Sequence, residues 1–336
     1  MKTDFGPLSP TKLRNRIDTY RARYQLSQID RYAKKIPDNL DSQGRERFAD
    51  TLSATINSGA GLGHQLSGWI AGDLWAHDLG LQTASGNVPA DRNRLFAFDS
   101  SLGQPPAAHK VVHLPAVPDE RDPRSWSVLK AAVVRAQNNC PDMPIRFQLS
   151  LDQARWDQTA AAGPLRAAVL SGNYGSQLRE AEGSNPGYIA VHIRRGDVGR
   201  LSTGGSGESR WVDLDWYKDL IADLRRIPDL RDLEMRIYSQ GDQADFATIS
   251  DSGTTIILDG ERDQDFVGLC GARLLIAAPS SFSFTAALVS RGAVIVRSPW
   301  WHRLPDGGRW VSISSGAAVA PELVKQALTH ASDIEP

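Results

Sequence analysis

In the second half of the chain, short continuous apolar runs alternate with segments in which apolar residues recur at helical spacing. Short apolar runs rich in Val, Ile and Leu predict buried strands at 188–193, 233–239, 254–258, 273–277 and 293–297. Segments with helical spacing separate or follow them, at 216–226, around 263–272, at 279–290 after a turn, and at 321–331. This alternation predicts an α/β fold in which a parallel sheet carries helices on both faces.

The first half of the chain has weaker patterns. Charged residues with helical spacing at 10–37 predict a solvated arm or a packing helix, and residues 110–114 predict a strand. Residues 125–136 predict a helix that begins at a serine cap, Ser125. From about 138 to 187 the patterns are short and mixed, and they assign no element.

A glycine-rich stretch in the first half leads into a predicted helix. Gly59, Gly61 and Gly63 precede His64 and an apolar stripe with helical spacing. A loop of this kind leaves the backbone N–H groups of the helix N-terminus pointing in one direction, which favours an approaching anion. The stripe itself is more typical of a core helix than of a cofactor site.

Length and composition fit a globular enzyme of two domains. The chain has 336 residues, of which 41% are hydrophobic and 23% are charged. Chain-breaking residues cluster at 183–187, just before the central predicted strand. We therefore expect an N-terminal domain at 1–185, including the helical arm, and a C-terminal domain at 186–336.

Charge and cysteine content exclude several classes of function. A formal net charge of −1 provides no basic field, so we expect no nucleic-acid partner. The two cysteines, Cys140 and Cys270, form no disulfide framework and cannot by themselves hold a structural metal. Without a signal-like segment or a run of ~18 apolar residues, we expect a soluble, cytoplasmic chain with no integral membrane segment, at most peripheral to a membrane.

The central strand ends in His192-Ile-Arg-Arg-Gly-Asp197, where a strand of an open α/β sheet delivers its last residues to a ligand crevice. Arg194 and Arg195 each offer a planar fork of donors that stays charged and can hold phosphate oxygens bidentately. Gly196 allows a sharp turn beside them. The pattern indicates a loop that holds a diphosphate.

A second candidate group lies between later strands. Ser280 and Ser281 stand between a buried strand and a helix, where their hydroxyls can cap the helix and its N-terminus can accept a phosphate. Asp265 begins the preceding helix candidate, where its carboxylate can either accept paired N–H donors from guanine or cap its own helix. Phe266 and Phe282 can flank a base or a sugar, or belong to the core.

Together these stretches resemble the superfamily of α1,2- and α1,6-fucosyltransferases and protein O-fucosyltransferases. The resemblance covers 57–70 and 188–302 and is closest in motif spacing to the α1,6 branch. The residues on which the resemblance rests are the Gly-x-Gly-His-Gln loop ending at Gln65, the stretch 192–197, the Ser-Ser-Phe-Ser stretch at 280–283, and Glu208, Trp211 and Tyr217.

The resemblance implies a GT-B fold, with two Rossmann-like lobes, a donor site in the C-terminal lobe and an interlobe cleft. It implies an inverting transfer of fucose from GDP-fucose to a glycan or glycoconjugate hydroxyl, without a metal or another cofactor. By position, Arg194 neutralises the departing GDP and Asp265 reads guanine. The remaining donor-binding residues that it implies are Gly63, His64, His192, Arg195, Phe266, Ser280, Ser281 and Phe282.

Inversion needs a base that takes the proton of the acceptor hydroxyl. Glu208 is the first candidate and Asp197 the second. The loop between them is longer than in the α1,6 enzymes, and the N-terminal half lacks the acceptor-binding features of those enzymes. The sequence therefore leaves the acceptor and the linkage open.

Three alternatives stay open at the level of the sequence. Asp213 and Asp215 form an Asp-x-Asp pair that would bind Mn²⁺ in a GT-A transferase, although acids before a helix also favour its positive end. A GT-B enzyme can use GDP-mannose or a UDP-sugar instead. A non-catalytic protein that binds a nucleotide or a glycan can share the same scaffold.

Overall fold

The structure is a computed structural model, and it describes residues 50–55, 61–84, 94–97, 110–115, 123–150, 156–184, 186–196, 198, 210–300, 302–305, 308–314 and 316–333. The predicted helix at 10–37 lies outside the described residues. The chain divides into two compact units. The first comprises Met1–Ile56, Gly68–Asn87 and Ser101–Trp156, and the second comprises Asn57–Ser67, Val88–Ser100 and Asp157–Pro336.

The first unit contains a four-stranded parallel sheet. Its strands are β1 (Thr51–Thr55), β2 (Gln82–Thr83), β3 (Lys110–His113) and β4 (Ile145–Ser150), in the order β2-β1-β4-β3. Because successive residues of a strand face opposite sides of the sheet, Phe147 and Leu149 place their side chains on one face of β4. The predicted strand at 110–114 is confirmed as β3.

Two helices follow strands of this sheet. Helix α1 (Leu62–Leu79) clusters with the first unit from Gly68 onward, and α2 (Pro123–Asn139) lies wholly within it. Gly72 faces Ala54 of β1 so closely that a side chain there would contact it at 3.0 Å. The predicted serine cap of α2 is wrong: the helix begins at Pro123, and Ser125 lies inside its first turn, fully buried.

The second unit is organised around a six-stranded parallel sheet. Its strands are β5 (Tyr188–His192), β6 (Glu234–Ser239), β7 (Thr254–Leu258), β8 (Leu274–Ala277), β9 (Ala293–Ser298) and β10 (Trp310–Ser314). Its helices are α3 (Ala162–Ser171), α4 (Gly175–Gly183), α5 (Leu214–Arg225), α6 (Pro228–Arg231), α7 (Arg262–Cys270), α8 (Ser281–Val289) and α9 (Pro321–Ser332). Short 3₁₀ turns occupy Thr159–Ala161 and Gln243–Ile249.

Helices cover both faces of this sheet, as the alternating pattern predicts. On one face, α5 and α9 share a buried core with Ile189, Val191 and Ile237. The helices α3, α4, α7 and α8 form a contiguous group. Within this group, α7 also contacts β5 and α8 also contacts β8. Burial of both faces explains why the strands read as nearly continuous apolar runs, with β5 buried along its whole length.

The strand order is β10-β9-β8-β5-β6-β7, which is the doubly wound arrangement of dinucleotide-binding sheets. From β5 the chain builds outward through β6 to β7, and then returns to the other side of β5 to add β8, β9 and β10. The direction of winding therefore reverses between β5 and β8. Ligands of open α/β sheets bind beyond the carboxyl ends of the strands at such a point.

None of the helices that the structure describes is both long enough and apolar enough to cross a membrane. The domain boundary placed near residue 185 stays a prediction.

Candidate functional site

A cavity of about 480 Å³ opens beyond the carboxyl ends of β5 and β8, within the second unit. Its walls come from the start of α1, the ends of β5, β6 and β7, and the first turns of α7 and α8. The predicted site residues that line it are Gly63, His64, His192, Arg194, Arg195, Asp265, Ser280, Ser281 and Phe282. These residues come from four separate stretches of sequence, and the reversal of winding brings them together.

The backbone that carries the arginines is fixed by side chains on three successive carbonyl groups. Tyr217 Oη donates to the carbonyl oxygen of His192 at 3.4 Å, and Ser239 Oγ donates to that of Ile193 at 2.8 Å. Arg195 donates to the carbonyl oxygen of Arg194 at 2.8 Å. A loop held in this way keeps Arg194 positioned at the cavity without reorganisation when an anion arrives.

The two arginines have different surroundings. Besides its bond to Arg194, the Arg195 guanidinium donates to the carbonyl oxygen of Val212 at 3.1 Å and stacks 3.8 Å above the ring of Trp211. These contacts use its fork of donors to join the end of β5 to the residues just before α5. Arg195 therefore supports the loop, and Arg194 is the stronger candidate for contact with an anion.

His192 is a buried, neutral side chain at the edge of the cavity. Burial, and after it the charge of Arg194, lowers the pKa of its imidazole to about 3. Ser283 Oγ lies 2.6 Å from His192 Nδ1 and donates its one hydrogen to the carbonyl oxygen of Ala278 at 3.1 Å. The hydroxyl therefore accepts from Nδ1–H, and the other nitrogen, Nε2, has a lone pair that can accept a hydrogen bond.

The N-termini of α1 and α8 pack backbone against backbone at Gly63. A Cβ atom at this position would overlap the backbone of Ser281 and Phe282. Ser280 is the N-cap of α8, and its Oγ accepts a hydrogen bond from the backbone N–H of Phe282 at 3.3 Å. The predicted capping role of Ser280 is confirmed, and the cavity receives the positive ends of two helices beside Arg194.

Asp265 supplies a carboxyl group to the same cavity from α7. The cap of α7 is Glu261, whose side chain accepts from the backbone N–H groups of Asp263 and Gln264, so Asp265 does not cap its own helix. Gly260 faces the Asp265 carboxyl closely. Burial, and after it the charge of Glu261, raises the pKa of Asp265 to about 6.

The groups that line the cavity follow different strands of the sheet. Arg194 and Ser281 follow β5 and β8, which are neighbours, whereas Gly260 and Asp265 follow β7, two strands away from β5. Strand spacing places these strand ends about 10 Å apart. The cavity thus has Arg194 and a helix N-terminus at the winding reversal, and near β7 it has the carboxyl groups of Asp259 and Asp265 with Arg262 beside them.

The two predicted phenylalanines differ in position. Phe282 lines the cavity, whereas Phe266 is fully buried and packs edge-on against Phe282 with ring centroids 5.5 Å apart. Phe96 also packs edge-on against Phe266, with ring centroids 5.5 Å apart. Phe266 therefore belongs to the core behind Phe282 rather than to the cavity wall.

Several cavity residues were missed by the sequence reasoning. They are Ile193, Arg210, Tyr238, Ser239, Gln240, Asp259, Gly260 and Arg262. Gln240 follows β6 and Asp259 follows β7, so the rule that singled out the ends of β5 and β8 also applies to them. Asp259 has a left-handed backbone with φ 49°, which is uncommon outside glycine and marks a special turn.

The two candidate bases, Glu208 and Asp197, lie outside the described residues. Among the residues that the structure does describe, no cluster of three or more His, Cys, Asp or Glu side chains is placed to hold a metal ion. Asp213 and Asp215 are exposed at the N-terminus of α5, and Asp213 accepts a hydrogen bond from Trp211 Nε1 at 3.2 Å.

Neither a protein-family model nor a curated relative matches this sequence. The solved structures that match this chain include a mutant of Arabidopsis thaliana FUT1 in complex with GDP, at 10% identity and a TM-score of 0.39, covering 87% of this chain and 80% of that one. POFUT1 in complex with GDP is also 10% identical, with a TM-score of 0.47 and coverage of 74% and 98%. POFUT1 in complex with GDP-fucose has 10% identity, a TM-score of 0.44 and coverage of 80% and 99%.

These solved structures are of fucosyltransferases, the superfamily that the motifs of this chain resemble. Because identity is low, we base the proposed function on the residues of the cavity.

Proposed function

We propose that this protein is an inverting, metal-independent glycosyltransferase that moves fucose from GDP-fucose to a hydroxyl of a glycan or glycoconjugate. The observation that carries the proposal is the composition of the cavity at the winding reversal. It combines Arg194 and the capped N-terminus of α8 with a half-buried carboxyl group, Asp265. A nucleoside diphosphate needs both an anion site and a base site.

In the proposed reaction an acceptor oxygen attacks the anomeric carbon, and the bond from that carbon to the phosphate oxygen breaks. The negative charge that develops on the departing GDP falls beside Arg194 and the N-terminus of α8. Groups that are already oriented stabilise such charge most effectively, because they need no rearrangement in the transition state. The fixed carbonyl groups at 192–194 provide that orientation.

Asp265 supports guanine as the base of the donor. An ionised carboxylate can accept one hydrogen bond from the ring N–H of guanine and another from its exocyclic amine. Uracil has a ring N–H but no exocyclic amine beside it, so a carboxylate gains less from it. Fucose as the transferred sugar and the GT-B architecture come from the motif resemblance. The domains 1–185 and 186–336 come from the cluster of chain-breaking residues at 183–187, and they belong to the same proposal.

The proton of the acceptor hydroxyl goes to a base as the new bond forms. Glu208 is our first candidate for this base and Asp197 our second. We expect the change Glu208→Gln to abolish turnover and to leave GDP affinity close to that of the wild type. Near-normal turnover of this variant would show that Glu208 is not the base, and Asp197 would then be the candidate to test.

A thermal-shift panel tests the donor, with GDP, UDP, GDP-fucose and GDP-mannose measured with and without EDTA. We expect the guanine nucleotides to raise the melting temperature more than UDP, and EDTA to leave the shifts unchanged. Release of GDP from GDP-fucose with candidate acceptors then separates an enzyme from a binding protein. Larger shifts with UDP, or shifts that EDTA removes, would contradict the proposal.

A further inference from the structure

A buried hydrogen-bonded series of side chains lies behind Ser281. Ser281 Oγ is 3.1 Å from His302 Nε2, and His302 Nδ1 is 3.4 Å from the amide nitrogen, Nε2, of Gln158. His302 is 2% exposed and Gln158 is fully buried. Buried polar side chains are costly unless they are hydrogen-bonded, so a series of this kind at a cavity wall suggests a function.

The series has a defined direction. An amide nitrogen can only donate, so His302 Nδ1 accepts from Gln158 and the ring proton lies on Nε2. His302 Nε2–H then donates to Ser281 Oγ. Because the hydroxyl accepts on that side, its own hydrogen is free to point elsewhere, and Ser281 lines the cavity.

The ring of His302 is held in this orientation by packing. It stacks on Phe284 with ring centroids 4.3 Å apart and an interplanar angle of 15°. Phe284 is itself buried within α8, the helix that Ser281 begins. The histidine is therefore fixed both to the hydroxyl that it orients and to the helix that carries this hydroxyl.

We propose that Gln158 and His302 are positioning residues that keep the Ser281 hydroxyl as a hydrogen-bond donor towards a diphosphate oxygen. This inference rests on the proposed function, since it assigns a ligand group to the same cavity. Ser281 would otherwise be able to turn its hydrogen towards a neighbouring acceptor, and its lone pairs would then repel the phosphate. His302 Nε2–H removes that alternative, because it donates to Ser281 Oγ and leaves the hydroxyl hydrogen for the phosphate.

The change Gln158→Glu tests the direction of the series. A carboxylate accepts, so it would draw the ring proton to Nδ1 and leave Nε2 as an acceptor for the Ser281 hydrogen. At pH 8.5 we expect GDP affinity about tenfold below that of the wild type at the same pH. Guanosine, which has no phosphate, should bind this variant as well as it binds the wild type. A purely structural role for Gln158 predicts an equal loss of affinity for GDP and guanosine.

A second set of variants keeps the test decisive if the glutamate variant does not fold. His302→Phe preserves the stacking on Phe284 and removes the hydrogen bonds. We expect it to weaken GDP binding about tenfold and to leave guanosine binding unchanged, because guanosine has no phosphate. In a double-mutant cycle, His302→Phe should add little to Ser281→Ala, since the histidine acts through that hydroxyl.

Isothermal titration calorimetry with GDP and guanosine distinguishes the outcomes. If the wild-type protein binds GDP and the His302→Phe variant binds it equally well, the positioning role is wrong and the proposed function stands. Additive losses in the cycle, or an equal loss for guanosine, also overturn the positioning role. If the wild-type protein binds no GDP, the proposed function and this inference both fail.

Discussion

Ionisation of Asp265 is expected to control guanine-nucleotide binding near pH 6. Burial and the charge of Glu261 raise the pKa of its carboxyl group to about 6, and only the ionised form can accept both N–H groups of guanine. The ionised fraction is about 97% at pH 7.5 and about 9% at pH 5 for a group of this pKa. GDP affinity should therefore fall about tenfold between these pH values, with the loss occurring as the pH decreases through about 6.

The ligand-free protein should show the opposite trend. A folded-state pKa above the unfolded value means that the folded chain holds the proton more tightly. The contribution of Asp265 to the free energy of unfolding is thus fully present below the unfolded pKa and is lost as the pH rises through about 6. Melting curves with and without GDP should separate these two effects.

Calorimetric titrations of GDP and UDP between pH 5 and pH 8 provide the assay. The terminal phosphate also titrates near pH 6, but both nucleotides carry it, so the ratio of their affinities isolates the base. Asp265→Asn should flatten this ratio and lower GDP affinity at pH 7.5 by about 1.5–3 kcal/mol, which is a factor of about 10 to 150. Asp229→Asn, an exposed change on α6, is the matched control.

Two results would refute the base assignment. One is a GDP-to-UDP affinity ratio that stays constant across this pH range in the wild-type protein. The other is an equal loss of GDP and UDP binding in the Asp265→Asn variant. Either would show that the carboxyl group does not distinguish guanine from uracil.

Three further changes test the cavity. Arg194→Ala should reduce transfer at least about 100-fold because it removes the charge beside the leaving group, while the melting temperature stays near that of the wild type; retained transfer in a product assay would contradict this role. Gly63→Ala should destabilise the fold by about 1–3 kcal/mol and weaken GDP binding, since its Cβ overlaps the backbone of α8. Denaturant melts check it against Gly163→Ala, where a Cβ meets nothing within 4 Å. Arg195→Lys should lower stability by about 1–3 kcal/mol in the same melts, because a single ammonium cannot replace the fork that joins two carbonyl groups; unchanged stability would count against the supporting role.

The sequence predicts most elements of the second unit because their apolar runs are long and buried on both faces. Strand β10 was missed, since Trp310–Ser314 is short and follows a stretch rich in turn-forming residues. In the first unit, β4 shows a regular alternation in Ile145–Ser150 that could have identified it. Strand β1 gives little pattern, because Thr51 and Ser53 are buried polar residues within it.

The sequence was sufficient to predict those candidate site residues that lie close after a predicted strand. Arg194 stands directly after an apolar run, and Ser281 begins the helix that follows the next one in the sheet, so the local pattern was enough to select them. Gln158 could not be selected in this way, because it follows no strand that the sequence predicts. His302 stands four residues past the end of β9, but it meets Gln158 only in the folded chain. The packing of Gly63 against α8 is likewise visible only in three dimensions.

The aromatic series behind Phe282 has a practical consequence for dissecting this protein. Phe96 supports Phe266, and Phe266 supports the cavity wall, yet Phe96 lies far upstream in the sequence. Gly63, His64 and Gln158 likewise precede residue 186 and belong to the second unit, which holds the cavity. A fragment expressed from residue 186 onward would lack these supports, so truncation at the apparent linker would yield an incomplete scaffold. Binding studies therefore need the longer polypeptide.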